Sequence, residues 1–252
     1  TLDAGSSVAT RQIVVSGNAV LRAAKPIRQS LLITAAEETG LPADKLSLHH
    51  GSLFCEDESI HVSVANLAEK AFSKDRPLHG EGFYAMEYPE QTGPVPLYAY
   101  TAYTFSTQIA RVLVDIQTGQ VVVEEIVAVH EAGKMVNPDG VYGQIEGGCL
   151  MGVGYALLEE LVVKEGHTLN TDLRHYLTPT VKDTHQIKVK ILEFPEAHLP
   201  YGAKGLGEPV LTATAPAIAN AIRDAIGVPL FRLPMTPERV LEAIERSKQG
   251  SL

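Results

Sequence analysis

The chain has 252 residues, 45% hydrophobic and 20% charged, with a formal net charge of −9. That is long and apolar enough to bury a core in one large domain or two small ones. The acidic balance, without any run of Lys or Arg, argues against nucleic acid or an anionic membrane as partner, because both require a basic footprint. Two cysteines, Cys55 and Cys149, are too few for a disulfide framework or for the four thiolates of an iron–sulfur cluster. With no membrane-length apolar run and no signal peptide in view, a cytoplasmic setting is expected. The chain opens on Thr rather than Met, and TLDAGSSVATRQ reads as the middle of something larger, a fragment or a processed piece.

After that opening, Val20, Leu21, Ala24, Ile27, Leu31, Leu32 and Ala35 recur at helical spacing, and Gly40 with Pro42 ends the helix. Pro26 inside it predicts a kink or a later start. LSLHHGSLFCEDESIHVSV reads as short strands around turns, and Ser63 is placed to cap a helix through Phe72. TFSTQIARVLVDIQTGQVVVEEIVAV, within Tyr98 to Val129, is rich in β-branched residues and folds back at QTGQ as a long hairpin. GQIEGGCLMGVGYALLEEL has helical length but five glycines, each costing roughly 1 kcal/mol against Ala, so something must approach that helix closely. IKVKILEF is a strand, GEPVLTATAPAIANAIRDAIG a helix with Pro209 in its first turn, and TPERVLEAIERSK a final helix capped by Thr236. Long antiparallel strands with separate helices predict an α+β fold rather than a doubly wound sheet. It is expected to be one unit over 1–252, divisible at about 97/98.

Three stretches carry candidate chemistry. In YGAKGLGEPVLTATAPAIANAI the single carboxylate Glu208 lies between a glycine-rich loop and a helix, and the positive helix end would favour its ionised, proton-accepting form. A capping Glu behind a tight turn is the plain alternative. In GQIEGG, Gln144 offers both a donor and an acceptor, as a heterocycle edge or a phosphate-bearing cofactor needs, although small residues at this spacing equally serve helix packing. The opening GSSVATRQ supplies hydroxyls, small residues and the forked donor Arg11, suited to phosphate or pterin oxygens, or else is an unstructured terminus. The nine histidines show no metal-ligand spacing. The Tyr, Pro and Gly residues between Tyr84 and Tyr103 suit a channel lining or a plain loop.

Taken in order, SGNAVLRAA after a Ser/Thr-rich loop, GKMVNPDGVYGQIEGGCLMGVGYALLEE and GAKGLGEPVLTATAPAIANAI resemble the molybdenum-binding portion of the xanthine dehydrogenase and aldehyde oxidase family over nearly the whole chain. The resemblance implies the second half of a molybdenum-cofactor-binding unit, in a hydroxylase that adds water-derived oxygen to an N-heterocycle or an aldehyde. It implies Glu208 as general base, with the redox chemistry left to the cofactor. It places Gln144 against the pterin, and Ser7, Ala9, Thr10, Arg11 and Gln12 around the pterin or its phosphate. Gly205 and Gly207 would let the cofactor approach, with Lys204 nearby. No protein ligand to molybdenum is implied, and the molybdopterin is either plain or a cytosine dinucleotide.

This chain lacks the half-domain that precedes the region in single-chain members. It therefore resembles the smaller piece of split enzymes such as nicotinate dehydrogenase, active only with a second molybdenum-binding subunit. Separate iron–sulfur and FAD subunits would complete the electron path. The alternative is a non-catalytic scaffold subunit or a remnant fragment that keeps the motifs for packing. A third and much weaker reading is a nucleotide-binding domain resting on GAKGLGE, against which the strand, glycine turn and downstream acid of a βαβ unit are not laid out around it.

Overall fold

The computed structural model describes residues 3, 5–55, 60–86, 102–183 and 186–248. They form two compact units: Thr1–Ser6 with Arg11–Thr101, and Ser7–Thr10 with Ala102–Leu252. The chain thus crosses between units twice within its first dozen residues. Residues 56–59 and most of the Tyr84–Tyr103 stretch lie outside the described residues.

In the first unit, helix α1 spans Gln12–Thr39 and stops where Gly40 turns left-handed (φ 72°) and returns its N–H to the Ala36 carbonyl. The helix runs through Pro26 and begins well before it, so the proline does not set its start. Its buried stripe of Leu31, Leu32 and Ala35 packs with Leu46, Leu53 and Leu67. Those partners come from the short hairpin β1 (Ser47–His49) and β2 (Ser52–Phe54), the residue preceding it, and α2 (Val64–Ser73). The Ser63 hydroxyl accepts from Asn66 N at 3.1 Å, capping α2 as its sequence position predicts.

The second unit is built on β3 (Ser106–Val114) and β4 (Val121–Glu131), an antiparallel hairpin. Its turn is closed by Asp115, whose Oδ1 accepts from Gln117 N at 2.8 Å. Helix α3 (Pro138–Leu157) and a small hairpin, β5 (Val163–Lys164) and β6 (His167–Thr168), precede β7 (Gln186–Leu192). The strand β7 pairs with β4 in parallel, with Ile126 opposite Ile187, giving the order β3-β4-β7. A long antiparallel hairpin with a parallel third strand is still α+β, and the long connection through α3 is what a parallel pairing needs.

Helix α3 begins five residues before the glycine-rich stretch because Asn137 Oδ1 accepts from Gly140 N (3.1 Å) and Pro138 suits a first turn. Helix α4 (Thr214–Ile226) starts six residues after Glu208, where a start at Glu208 or Pro209 was expected. Pro216 explains the shift: deep in a longer helix it would strip a hydrogen bond and clash with the preceding turn, whereas in the first turn of α4 it costs neither. Helix α5 (Pro237–Lys248) follows Thr236, whose Oγ1 faces Arg239 N at 3.5 Å.

One core joins the sheet to α3 and α4 through Ile126, Ile145, Cys149, Val153, Val210, Ile218 and Ile222. Among the described residues, no helix is long and apolar enough to cross a membrane.

Candidate functional site around Glu208

The chain leaves β7, makes a 3-10 turn over Pro200–Gly202 and descends through Ala203–Ala213 to α4. This loop is fastened to the end of β4. Lys134 N donates to the Gly202 carbonyl (2.9 Å) and Lys204 N to the Ala132 carbonyl (3.1 Å), around a bridge between Gly133 and Ala203. The close approach explains Gly133: a Cβ there would lie 2.3 Å from the Gly202 carbonyl oxygen.

Glu208 is exposed on this loop. Its Oε1 accepts from Ala9 N at 2.9 Å, and its own N–H donates to Thr10 Oγ1 at 3.2 Å. Ala9 and Thr10 have φ of 52° and 54°. Two successive non-glycine residues in the left-handed region cost on the order of 1–3 kcal/mol each, and such strain clusters at functional sites. Beside the carboxylate, a Cβ added to Gly207 would meet only Thr10 Oγ1, at 3.9 Å, so the loop is open there. The helix dipole expected to favour an ionised Glu208 does not act on it, because α4 begins at Thr214 and dipole effects fade within one turn.

The remaining sequence-predicted residues divide between the units. Ser7, Ala9 and Thr10 belong with the second unit, as do Glu208, Gly205 and Gly207. Arg11 and Gln12 belong to the first, where Arg11 Nη1 and Gln12 Nε2 donate to the Ser6 carbonyl (3.1 and 3.4 Å). Gln144 is exposed on α3. Next to it Gly143 and Gly147 have nothing within 4 Å of an added Cβ, so that face is open backbone.

Lys204 points inward. Its Nζ lies 2.7 Å from Glu131 Oε2 and 2.9 Å from the Tyr103 carbonyl oxygen, and the side chains of Lys204 and Glu131 are both nearly fully buried.

Several residues of this region were not legible in the sequence. Glu131 closes β4 and also accepts from Gly133 N at 2.7 Å. Gln108, on β3, donates to the Val210 carbonyl (2.8 Å), accepts from the Thr214 hydroxyl (2.6 Å) and lies 3.2 Å from His130 Nε2. Burial pushes the His130 imidazole down and the Cys149 thiol up, the latter to about 11. The sequence signal available was the polar pair His130–Glu131 directly after the apolar run IVAV; in the structure the alternation of β4 breaks there and His130, Glu131 and Ala132 are buried in succession.

Two glycines of α3 face this network rather than open space. A Cβ on Gly148 would lie 2.2 Å from Val210 Cγ2, and one on Gly152 would lie 2.3 Å from Thr214 Cβ. Among the described residues, no three His, Cys, Asp or Glu side chains group as a metal site. The groups around Glu208 are amides, hydroxyls and bare glycine backbone, a set suited to a cofactor's polar edge and able to admit it closely.

Known proteins resemble this chain over nearly its whole length. A family model described as the molybdopterin cofactor-binding domain matches residues 1–185. The chain is 35% identical over 243 residues to a probable xanthine dehydrogenase subunit of Bacillus subtilis (strain 168), covering 96% of this chain and 32% of that protein. It is 31% identical over 260 residues to the nicotine 6-hydroxylase large subunit of Paenarthrobacter nicotinovorans, covering 96% and 31%. Among solved structures, quinoline 2-oxidoreductase from Pseudomonas putida 86 superposes with a TM-score of 0.75 at 25% identity, over 95% of this chain and 30% of that one. The aldehyde oxidoreductase from Desulfovibrio desulfuricans gives a TM-score of 0.72 at 28% identity, over 96% and 24%. The chain spans about a third of the length of these curated relatives.

Proposed function

The chain belongs to the molybdopterin cofactor-binding domain family, and from that premise we propose that it is the molybdenum-binding subunit, or part of one, of a hydroxylase acting on an N-heterocycle or an aldehyde. The observation that carries the reading is the placement of Glu208, an exposed carboxylate held by the strained Ala9–Thr10 turn beside the open backbone of Gly207. When bound, a molybdenum–pterin group supplies the two-electron redox chemistry.

The chain's own residues hold, orient and move a proton. The hydroxyls of Ser7 and Thr10 suit pterin or phosphate oxygens, whether or not the pterin carries a cytosine nucleotide; Arg11 and Gln12 carry donors of the same kind, and Ala9 stands in the same turn with its N–H given to Glu208. Gln144 offers a donor and an acceptor to a heterocycle edge, and Gly205 and Gly207 add no side chain that would keep a cofactor away. Glu208 accepts, at its carboxylate, the proton released as water-derived oxygen is delivered to an electron-poor carbon. The Ala9 N–H that it now accepts from is a bond it can exchange for that proton.

The relatives carry subunit names, which supports assembly with other chains; the partners proposed are a second molybdenum-binding subunit completing the pocket and iron–sulfur and FAD subunits taking the electrons.

The test is metal analysis and turnover of the assembled complex with Glu208→Gln beside the parent. Molybdenum is expected in both, with turnover lower by about 10²–10⁴-fold in the variant, the usual contribution of a general base. An assembled complex without molybdenum overturns the subunit reading. Retained turnover in the variant overturns the role of Glu208 alone.

A further inference from the structure

Glu208 lies on a short span fastened at both ends. Four residues before it, Lys204 is tied through Nζ to Glu131 Oε2 and the Tyr103 carbonyl, and through its backbone N to the Ala132 carbonyl. Two residues after it, the Val210 carbonyl accepts from Gln108 Nε2. Between the anchors Leu206 is buried in the core and Glu208 meets Ala9 and Thr10, while Gly205 and Gly207, on either side of Leu206, leave their own backbone positions wide conformational freedom. A base must come within about 2.6–3.2 Å of its proton, so that freedom has to be removed from outside the span.

The chemistry of the upstream anchor suits this task better than it suits stability. The side chains of Lys204 and Glu131 are only 7% and 4% exposed, and at such depth desolvation offsets most of what the ion pair gains, so an apolar pair of equal volume holds a fold as well. What charges add is a single geometry. Nζ meets two acceptors and the carboxylate two donors, counting Gly133 N at 2.7 Å, and neither group can slide without losing a charged bond.

We propose that the buried Lys204–Glu131 pair is a positioning device for Glu208, fixing the upstream end of the Gly205–Pro209 span so that the carboxylate is presented at one reach. This rests on the reading of Glu208 as the base. Lys204 then acts through the loop and not by contact with the cofactor.

The test uses the assembled complex carrying Lys204→Met with Glu131→Gln, which removes both charges together and leaves none unpaired. The pair variant should lose about 10- to 100-fold in kcat, the cost of an ångström-scale misplacement, with KM within about threefold and molybdenum content unchanged. Backbone amides over residues 203–209 should exchange with deuterium faster than in the parent. In a Glu208→Gln background the same pair replacement should change the residual rate by less than about twofold, because residues acting as one unit are not additive.

Parent-like kcat, unchanged amide exchange, or an equal loss in both backgrounds overturns the proposal, the last by exposing a merely structural role. Lys204→Arg, which keeps both charges paired but changes the reach and shape of the cation, should give the same signature at smaller amplitude. It decides the matter if the pair variant does not assemble. If Glu208→Gln itself retains turnover, the base reading falls first. An inactive Glu208→Gln beside a fully active pair variant removes only the positioning.

Discussion

Gly147 and Gly148 are sequence neighbours on α3, and replacing each with Ala should move stability in opposite directions. Either substitution gains about 0.5–1 kcal/mol of helix propensity, because Ala loses less backbone freedom on folding than Gly. At Gly147 nothing lies within 4 Å of the new methyl, so the gain stands. At Gly148 the methyl would lie 2.2 Å from Val210 Cγ2 and 2.9 Å from Val210 Cβ, and Val210 is 2% exposed, with core on its other side. Overpacking of that kind costs about 1–3 kcal/mol, which leaves Gly148→Ala destabilised by about 1–2 kcal/mol after the propensity gain.

The two variants should therefore differ by about 2–3 kcal/mol, read as opposite shifts of the urea midpoint at constant slope. Turnover of the assembled complex gives a second readout. Gly148→Ala displaces Val210, two residues from Glu208, and should lower kcat, while Gly147→Ala narrows the open face beside Gln144 and should lower molybdenum loading. Midpoints that move together would refute the close approach on which the Gly148 argument rests.

Three further outcomes are expected. His130 is held neutral by burial, so its folded pKa lies below the unfolded value of about 6.5 and the unfolded state binds the extra proton. Stability should accordingly fall as pH drops from 7 to 5.5, and His130→Gln should flatten that dependence in urea titrations over the same window. The Cys149 thiol, buried and pushed up to about 11, should resist a thiol-reactive dye at pH 8 in the native chain and react on unfolding. Ser63→Ala removes the acceptor for Asn66 N at the start of α2 and should cost about 1 kcal/mol, measured as a lowered midpoint of the first unit.

The parts of this fold that local chemistry decides were legible in the sequence. Gly40 ends α1, Ser63 starts α2, Thr236 precedes α5, and the QTGQ turn joins β3 to β4, each because one residue type satisfies one backbone need. The parts set by distant partners were not. The parallel pairing of β7 with β4 depends on how the connection through α3 packs, and nothing within QIKVKIL encodes it. The need of α3 for close approach was readable from its five glycines, but not that Gly148 and Gly152 receive Val210 and Thr214 while Gly143 and Gly147 stay open. Lys204 and Glu131 stand 73 residues apart, and no local pattern marks either as the other's partner.

The displaced start of α4 changes the physical account of Glu208. A carboxylate at a helix N-terminus would owe its state to a dipole, and its position to the helix. Here neither holds, since the turns from Glu208 to Ala213 intervene. Among the described residues, its side chain and amide hydrogen-bond to Ala9 and Thr10, nearly two hundred residues away, and the loop on which it stands takes its shape from Glu131, Lys204 and Gln108. Glu208 is thus a residue of low local constraint made specific by tertiary anchors. On the reading of Glu208 as the base, such an arrangement keeps the carboxylate at the surface where a ligand can reach it while moving the cost of holding it still into the core. It follows that substitutions well away from the carboxylate, at Gly148, Gln108 or the Glu131–Lys204 pair, should impair turnover more than their effect on stability suggests.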